Sequence, residues 1–467
     1  MGEKKIHTPL TENKMGVMPV GKLLVNMAMP MIIAMLVQAF YNIVDSYFVS
    51  QISDDEAIRE SAIAAMSLAF AVQNILIGFA VGIGVGVNAL LSKSLGEGNQ
   101  ERANQAAGNG VTLAVLATGI FMIFGALFTD DYFRMMSNSP LTVQFGTEYI
   151  SICCLLSLGI FVEVLGERLL QSSGRTVYTM ITQGTGAVVN IILDPVLIFG
   201  LGPFPEMGIA GAAVATVIGQ WIAAALAVFF NLKFNPEVQF GLRYFRPRKD
   251  VIAPIMTVGI PSVIMNSIGS IMNIGINKIL QGFTQYGEVP VNVFGIYFKL
   301  QSFFFMPLFG MNNATISIVA YNYGARKVER ITKTLKIACI SALIFMLVGV
   351  VVFQSVPELL LGIFDTSDDF LRLGRSALRI ISFCFPFAAV CIALGASFQA
   401  LGNGIYSTIV SLCRQLIVLL PAAYLLSLTG EVNNVWWAFP IAEMMSLAAT
   451  IFFFVRIYRQ KIKPILK

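Results

Sequence analysis

Asp194 is the residue whose type and position most directly suggest chemistry. It lies in the apolar segment Val188–Phe199, within a stretch long enough to cross a membrane, where a carboxylate is costly and rare. Asn190 precedes it by one helical turn, so both side chains share a helix face. Pro195 is predicted to bend the helix and free the carbonyl oxygen of Ile191. These oxygens form a candidate site for a small cation; the alternative is a carboxylate that only joins neighbouring helices by hydrogen bonds.

Two other side chains could contribute oxygen ligands. Asp45 lies in the apolar segment Tyr41–Phe48, and Thr216 ends the small-residue segment Gly208–Thr216. The alternative for Asp45 is an outer helix end, because polar and acidic residues follow it. The small residues before Thr216 are explained by close helix packing alone, and the hydroxyl adds a possible neutral ligand.

Transmembrane helices must position these side chains. The chain has 467 residues, 56% of them hydrophobic and 12% charged, with a mean hydropathy of +0.76, whereas soluble proteins carry about 25% charged residues. Apolar segments of about 20 residues or more predict twelve spans with short connections. The sequence therefore predicts an all-α polytopic membrane protein. The predicted spans are 23–50, 62–91, 104–128, 147–170, 176–200, 207–231, 251–284, 291–321, 332–356, 374–400, 405–428 and 434–459.

Charge distribution predicts the orientation. Loops on the side of the N terminus carry an excess of Lys and Arg, whereas the opposite loops carry an excess of acids. By the positive-inside rule both termini are cytoplasmic, and the expected location is the inner or plasma membrane. The polar N-terminal segment lacks an apolar signal-peptide core, so the first span is expected to be retained. The net charge of +5 follows from this topology and indicates no nucleic-acid partner.

Enzyme chemistry finds little support in the sequence. The six cysteines lie in apolar segments without a CxxC pair, which favours buried thiols over a disulfide framework or a zinc site. His7 is the single histidine and lies in the polar N-terminal tail. Neither a phosphate-binding loop nor a nucleophile elbow occurs. We expect no catalytic residues, no cofactor, and no metal other than Na⁺ if that is the coupling ion.

The chain contains an internal repeat. One constant offset aligns Gln73 with Gln301, Gly82 with Gly310, Leu95-Gly96 with Tyr323-Gly324, and Gln171 with Gln399, while Pro30 aligns with Pro261 at a slightly larger offset. Each half holds six predicted spans, so the repeat is parallel. We expect two pseudo-symmetric six-helix lobes, 1–235 and 236–467, joined by a cytoplasmic linker near 231–250, around a central cavity that opens alternately to each side. The alternative is a duplicated scaffold without transport.

Charged residues within the predicted spans differ between the halves. The N-terminal half holds Asp45, Glu163 and Asp194, whereas the C-terminal half holds Lys278, Lys299 and Glu443. Acids concentrated in one half suggest that ions bind there. Glu163 could pair with Arg168, a turn further on, and no partner is evident for Glu443. Four residues are further candidates to line the cavity: Gln38, Asn42, Lys299 and Gln301.

These residues resemble the multidrug and toxic compound extrusion (MATE) family over the whole chain. The most specific segments are Tyr41–Asp45, Asn190–Pro195, Gly211–Thr216 and Tyr321–Ala325. The resemblance is strongest to the DinF/MepA-like branch, in which N-lobe positions matching Asp45, Asn190, Asp194 and Thr216 are implicated in cation binding. Another branch relies on C-lobe acids, but here the tenth span has none between Ser376 and Ala400.

The resemblance implies a monomeric antiporter that exports organic cations or drugs in exchange for H⁺ or Na⁺. The implied partners are small-molecule cations and the lipid bilayer. One alternative is a flippase of lipid-linked precursors from the same superfamily, which should line its cavity with basic residues that hold diphosphate. The other alternative, an intramembrane enzyme, lacks a histidine in the membrane and a nucleophile motif.

Overall fold

The computed structural model describes residues 13–53, 55–362, 364 and 367–466, without the side chains of Asn42, Ser46, Ser50, Glu56 and Leu466. All regular secondary structure in this part of the chain is helical. Ten of the described helices are long and apolar enough to cross a membrane, and two bent pairs raise the candidate spans to twelve. The predicted all-α, twelve-span architecture is confirmed, and the chain is a multi-pass membrane protein.

Fourteen helices make up these spans. Those of the N-terminal half are α1 (Val20–Ser50), α2 (Glu56–Gly96), α3 (Gln100–Leu127), α4 (Pro140–Leu155), α5 (Leu158–Ser172), α6 (Thr176–Ile198) and α7 (Gly208–Phe234). Those of the C-terminal half are α8 (Lys249–Leu280), α9 (Val289–Gly324), α10 (Val328–Ser355), α11 (Asp368–Ser382), α12 (Phe385–Ala400), α13 (Gly404–Ser427) and α14 (Ala438–Ile457). A π-helical turn, Cys413–Val418, lies within α13.

Short helices complete the described chain. They are the α-helical turns Lys14–Val17, Thr129–Met136, Pro357–Leu361 and Val432–Val435, the 3₁₀ turns Leu242–Phe245, Thr284–Tyr286 and Lys463–Leu466, and the π turn Tyr458–Ile462.

The fourth and tenth predicted spans are bent, which the sequence did not predict. The bend between α4 and α5 is 50°, and that between α11 and α12 is 45°. Pro386 in the first turn of α12 explains the second bend, because a proline is tolerated there but not in a helix interior. At the first bend, the indole of Trp221 donates to the Leu156 carbonyl over 3.2 Å. The Leu156 carbonyl also accepts from the Gly159 amide over 3.3 Å, so the indole is a second donor to this backbone acceptor at the bend.

The two halves of the chain meet where helix backbones cross without side chains between them. Gly96 of α2 lies against the carbonyl of Tyr321 on α9, and Gly324 of α9 lies against the carbonyl of Lys93 on α2. A Cβ atom on either glycine would overlap the opposing carbonyl. Gly96 and Gly324 are counterparts in the internal repeat, and so are Lys93 and Tyr321. The crossing is therefore symmetric under the internal repeat.

A second pair of crossings lies further along the same helices. Gly82 of α2 contacts Val263 on α8, and Gly310 of α9 contacts Ile32 on α1. Gly82 and Gly310 are again repeat counterparts, and Ile32 corresponds to Val263 at the offset that relates Pro30 to Pro261. Helices α1 and α2 thus pack on α9 and α8 in a repeated arrangement. The division into lobes at residue 235 stays a prediction.

The turn Lys14–Val17 joins both halves at one end of the bundle, which we call the terminal face. Asn13 Nδ2 donates to the Ser173 carbonyl over 3.1 Å, which connects the turn to the end of α5 in the N-terminal half. The Met15 carbonyl accepts from Arg330 Nη2 over 2.9 Å, which connects it to α10. The Met15 side chain is fully buried. The halves are therefore held together at the terminal face.

Candidate ion-coupling site

Helices α6 and α7 bring together three of the four predicted cation ligands. Asn190 Nδ2 donates to Asp194 Oδ1 over 3.2 Å and lies 3.3 Å from Thr216 Oγ1. The helices approach closely because Gly186 and Gly219 face each other, and a Cβ on Gly219 would lie 2.8 Å from the Gly186 carbonyl oxygen. The amide therefore bridges an acid on its own helix and a hydroxyl on the next.

The site has more hydrogen-bond acceptor oxygens than hydrogen-bond donors. Asp194 is fully buried and Asn190 nearly so. Asp194 Oδ2 and Asn190 Oδ1 have no hydrogen-bond partner in the described part of the chain. A buried acceptor without a partner costs about 1–3 kcal/mol, and more when it is charged. A proton or a small cation at these oxygens would remove that cost.

Asp45 on α1 adds a second acid to this region. Its Oδ1 atom is also buried without a partner among the described residues. Asp45 lies close enough to Asp194 for the two charges to interact, and Tyr41, one turn before Asp45, interacts with both acids. The structure therefore brings carboxyl groups from α1 and α6 to a common region, although they are distant in sequence.

Polar neighbours of Asp45 were missed in the sequence analysis. Gln73 Nε2 donates to the Tyr149 hydroxyl over 2.9 Å, and it lies 3.9 Å from Cys153 Sγ. Tyr149 and Cys153 both interact electrostatically with Asp45. Gln73, an amide inside an apolar span, was the available signal, but it was read only as a marker of the repeat.

Glu163 does not form the expected ion pair. Within the described residues Arg168 instead donates to Gln171 Oε1 over 2.8 Å. The neighbouring acid Glu167 accepts from the Thr182 hydroxyl over 3.0 Å. Arg168 lies five residues after Glu163, beyond the three or four that bring side chains together on a helix, so the predicted pairing was wrong.

Pro195 does not interrupt its helix. Helix α6 continues through Pro195 and ends at Ile198. A smaller bend at Pro195, and with it a freed carbonyl at Ile191, stays a prediction.

The four predicted cavity-lining residues have different environments. Gln38 is half-buried on α1, and the side chain of Asn42 lies outside the described part of the structure. Gln301 Oε1 accepts from the Tyr297 hydroxyl over 2.6 Å, whereas Lys299 is exposed. Whether they line the transport path stays a prediction.

Glu443 has a partner that the sequence analysis did not identify. Arg414 Nη1 lies 3.3 Å from Glu443 Oε1, so the buried acid of α14 pairs with a base on α13. Arg414 lies in the π-helical turn Cys413–Val418, and such turns occur frequently at functional sites. Arg414 interrupts an apolar span as Asp194 does, and that signal would have identified it.

The fold and this geometry define a class of protein. Two acids on separate transmembrane helices each have a buried carboxylate oxygen without a partner among the described residues, an arrangement typical of ion and substrate pathways in membrane transporters. No group of three or more His, Cys, Asp or Glu suited to a metal ion occurs within the described residues.

Family comparison agrees with this class. The MatE family profile matches residues 30–196 and 261–425, so the second matched segment begins at Pro261, the repeat counterpart of Pro30, where the first begins. The matched segments cover well over half of the chain, so the chain belongs to the MatE family, whose members are transporters and not enzymes. The resemblance to multidrug and toxic compound extrusion proteins is confirmed.

Similar proteins extend over nearly the full length. The multidrug export protein MepA of Staphylococcus aureus is 24% identical over 434 residues, which cover 93% of this chain and 93% of that protein. A protein of Shewanella oneidensis named FAD transporter is 24% identical over 430 residues, which cover 91% and 92%. A solved outward-facing conformation of a multidrug resistance MATE family transporter has a TM-score of 0.89 at 25% identity, covering 97% of this chain and 98% of that chain.

Proposed function

We propose that this transporter exports organic cations in exchange for H⁺ or Na⁺, and that the coupling ion binds at Asp45, Asn190, Asp194 and Thr216. The observation that carries the proposal is Asp194 Oδ2, a buried carboxylate oxygen without a partner in the described chain. The 24% identical relative named multidrug export protein MepA supports the substrate class.

Competition at the acids explains the exchange. A proton or Na⁺ that binds at Asp45 and Asp194 reduces their negative charge and so weakens the attraction for a cationic drug, and the drug in turn disfavours the ion. Typical coupling between two sites is about 1–3 kcal/mol, and it is reciprocal. Saturating drug should therefore weaken ion binding by the factor by which the ion weakens drug binding.

The terminal face is the cytoplasmic side in this proposal. The basic loops of the N-terminal side support this orientation through the positive-inside rule. Contacts of the turn Lys14–Val17 with both halves, together with the crossing of Gly96 and Gly324, close the bundle at that face. The conformation described is then closed to the cytoplasm, and loading of a drug requires these contacts to separate.

The flippase alternative is less well supported. A diphosphate carrier needs several basic residues in its cavity, whereas the buried charges around Asp194 are acidic. A lipid-linked diphosphate that competes with the export of a cationic dye would favour the flippase.

Transport by purified protein in liposomes tests the proposal. Ethidium uptake into vesicles is measured under an imposed pH gradient and, separately, under a sodium gradient. Wild-type protein should respond to one gradient, Asp194→Asn to neither, and Glu206→Gln, an exposed acid, should behave as wild type. Transport that is independent of both gradients, or an active Asp194→Asn variant, would show that the proposed exchange is wrong.

A further inference from the structure

A cavity of about 80 Å³ lies in the C-terminal half, separate from the proposed coupling site. Its lining is mixed, with Phe309 and Asn312 from α9 and a polar wall from α13 and α14. A single water needs about 10–15 Å³ of such volume, so the cavity has room for a small polar group. Helix α9 also packs on α1 and α2, which places the cavity beside the junction of the two halves.

Three polar atoms in the cavity wall have no hydrogen-bond partner within the described residues. They belong to Asn312, Ser407 and Thr450. Ser407 is 6% exposed and Thr450 is fully buried. Buried polar groups in proteins are satisfied with few exceptions, so unpartnered hydroxyls at the wall of one cavity indicate a polar occupant.

Arg414 gives this wall a positive charge. A guanidinium has five N–H donors in a planar fork, and within the described part of the chain one of them reaches Glu443 Oε1 over 3.3 Å. The remaining donors match the paired oxygens of a carboxylate, which arginine binds in a bidentate manner. Hydroxyls of Ser407 and Thr450 are available to donate to the same group.

We propose that Arg414 and these hydroxyls form a subsite for the carboxylate of a transported molecule. This inference rests on the proposed function, because the cationic part of the same molecule would bind at the acids of the N-terminal half. Glu443 competes with the incoming carboxylate for Arg414 and repels it. The subsite therefore favours amphiphiles that carry both a positive group and a carboxylate.

A matched pair of dyes tests the subsite. One probe is a rhodamine with a free carboxylate, and the other is its methyl ester, which keeps the cation but loses the anion. Binding of each dye to the purified full-length transporter is measured by fluorescence polarisation. Arg414→Gln should weaken binding of the carboxylate dye about tenfold, as expected for a charge-assisted hydrogen bond, and should leave the ester unchanged. Arg414→Lys should recover part of the loss.

Glu443→Gln separates a binding role from a purely structural one. If Arg414 binds the carboxylate, removal of its competitor should strengthen binding of the carboxylate dye. If the ion pair only holds α13 to α14, both single variants should weaken both dyes. That result, or equal effects of Arg414→Gln on both dyes, would overturn the subsite.

Wild-type protein provides a test that needs no variant. Benzoate should displace the carboxylate dye more effectively than it displaces the ester, whereas benzamide, its neutral counterpart, should not discriminate. Equal displacement by the two compounds would overturn the subsite even if the Arg414 variants fail to fold. Failure of the ester itself to bind or be exported would instead count against the proposed function.

Discussion

Each half of the chain buries an acid, but only the acid of the C-terminal half has a basic partner among the described residues. In the N-terminal half, Asp194 accepts one hydrogen bond from Asn190, and its other carboxylate oxygen has no partner among the described residues. In the C-terminal half, Glu443 faces the guanidinium of Arg414. A paired acid contributes to the fold as long as its partner remains, whereas an unpaired acid is destabilised until something binds. We infer that Asp194 is suited to binding an ion, whereas Glu443 already has its countercharge.

The largest expected effect is on the free energy of unfolding of variants at Glu443 and Asp194. Glu443→Gln leaves the partly buried Arg414 without a countercharge, and breaking a fully buried pair costs about 3–5 kcal/mol, which is the upper limit here. Asp194→Asn should instead keep or raise stability, because the new amide can donate to the unpartnered Asn190 Oδ1. Thermal unfolding of the purified variants measures both. Destabilisation by Asp194→Asn that equals that by Glu443→Gln would remove the distinction.

Dye export should rank the variants in the reverse order, with the larger loss for the acids of the N-terminal half. Asp194→Asn, and then Asp45→Asn, should lower export of a cationic dye roughly tenfold or more, within the range of typical site coupling. Glu443→Gln should lower it much less, once export is normalised to folded protein in the membrane. A loss of export confined to Glu443→Gln would move the ion site to the C-terminal half.

Thr216 offers a smaller and more specific effect. Thr216→Val removes the hydroxyl near Asn190 without much change in shape, and a lost hydrogen-bonding group is worth about 1 kcal/mol. We expect the apparent affinity for the coupling ion to fall by about fivefold, and Thr216→Ser to restore it. Titration of transport with the active ion distinguishes these variants. A valine variant with unchanged ion affinity would exclude Thr216 as a ligand.

The smallest effect is expected at an ion pair in water. Arg248 contacts both carboxylate oxygens of Asp250 at 3.1 and 3.0 Å. Both groups are exposed, so Asp250→Asn should leave thermal stability at neutral pH unchanged. A large loss would indicate that the pair does more than a surface contact.

The sequence predicted those features that depend only on the residues of a single helix. The twelve spans and Asp194 with Asn190 follow from hydropathy and helical spacing, because both are local properties. The approach of Thr216 to Asn190 came from family resemblance, since spacing along one helix does not reveal which face of another helix it meets. Arg414 and Glu443 are 29 positions apart on different helices, so their pairing depends on packing. The side chain that contacts the bend at Leu156 is likewise Trp221, a residue of another helix.

The reciprocal glycine crossing has a consequence for the origin of the molecule. Gly96 touches the carbonyl of Tyr321, and Gly324 touches that of Lys93. Replacing each residue of one contact by its repeat counterpart therefore gives the other contact. This reciprocity is the defining property of an isologous interface between two identical subunits. Two copies of an ancestral six-helix chain, facing each other across a twofold axis, would have made this contact twice. Fusion of the copies would then have allowed the rest of each half to diverge, and the counterpart of Asp194 at the repeat offset is Ala422, which carries no acid.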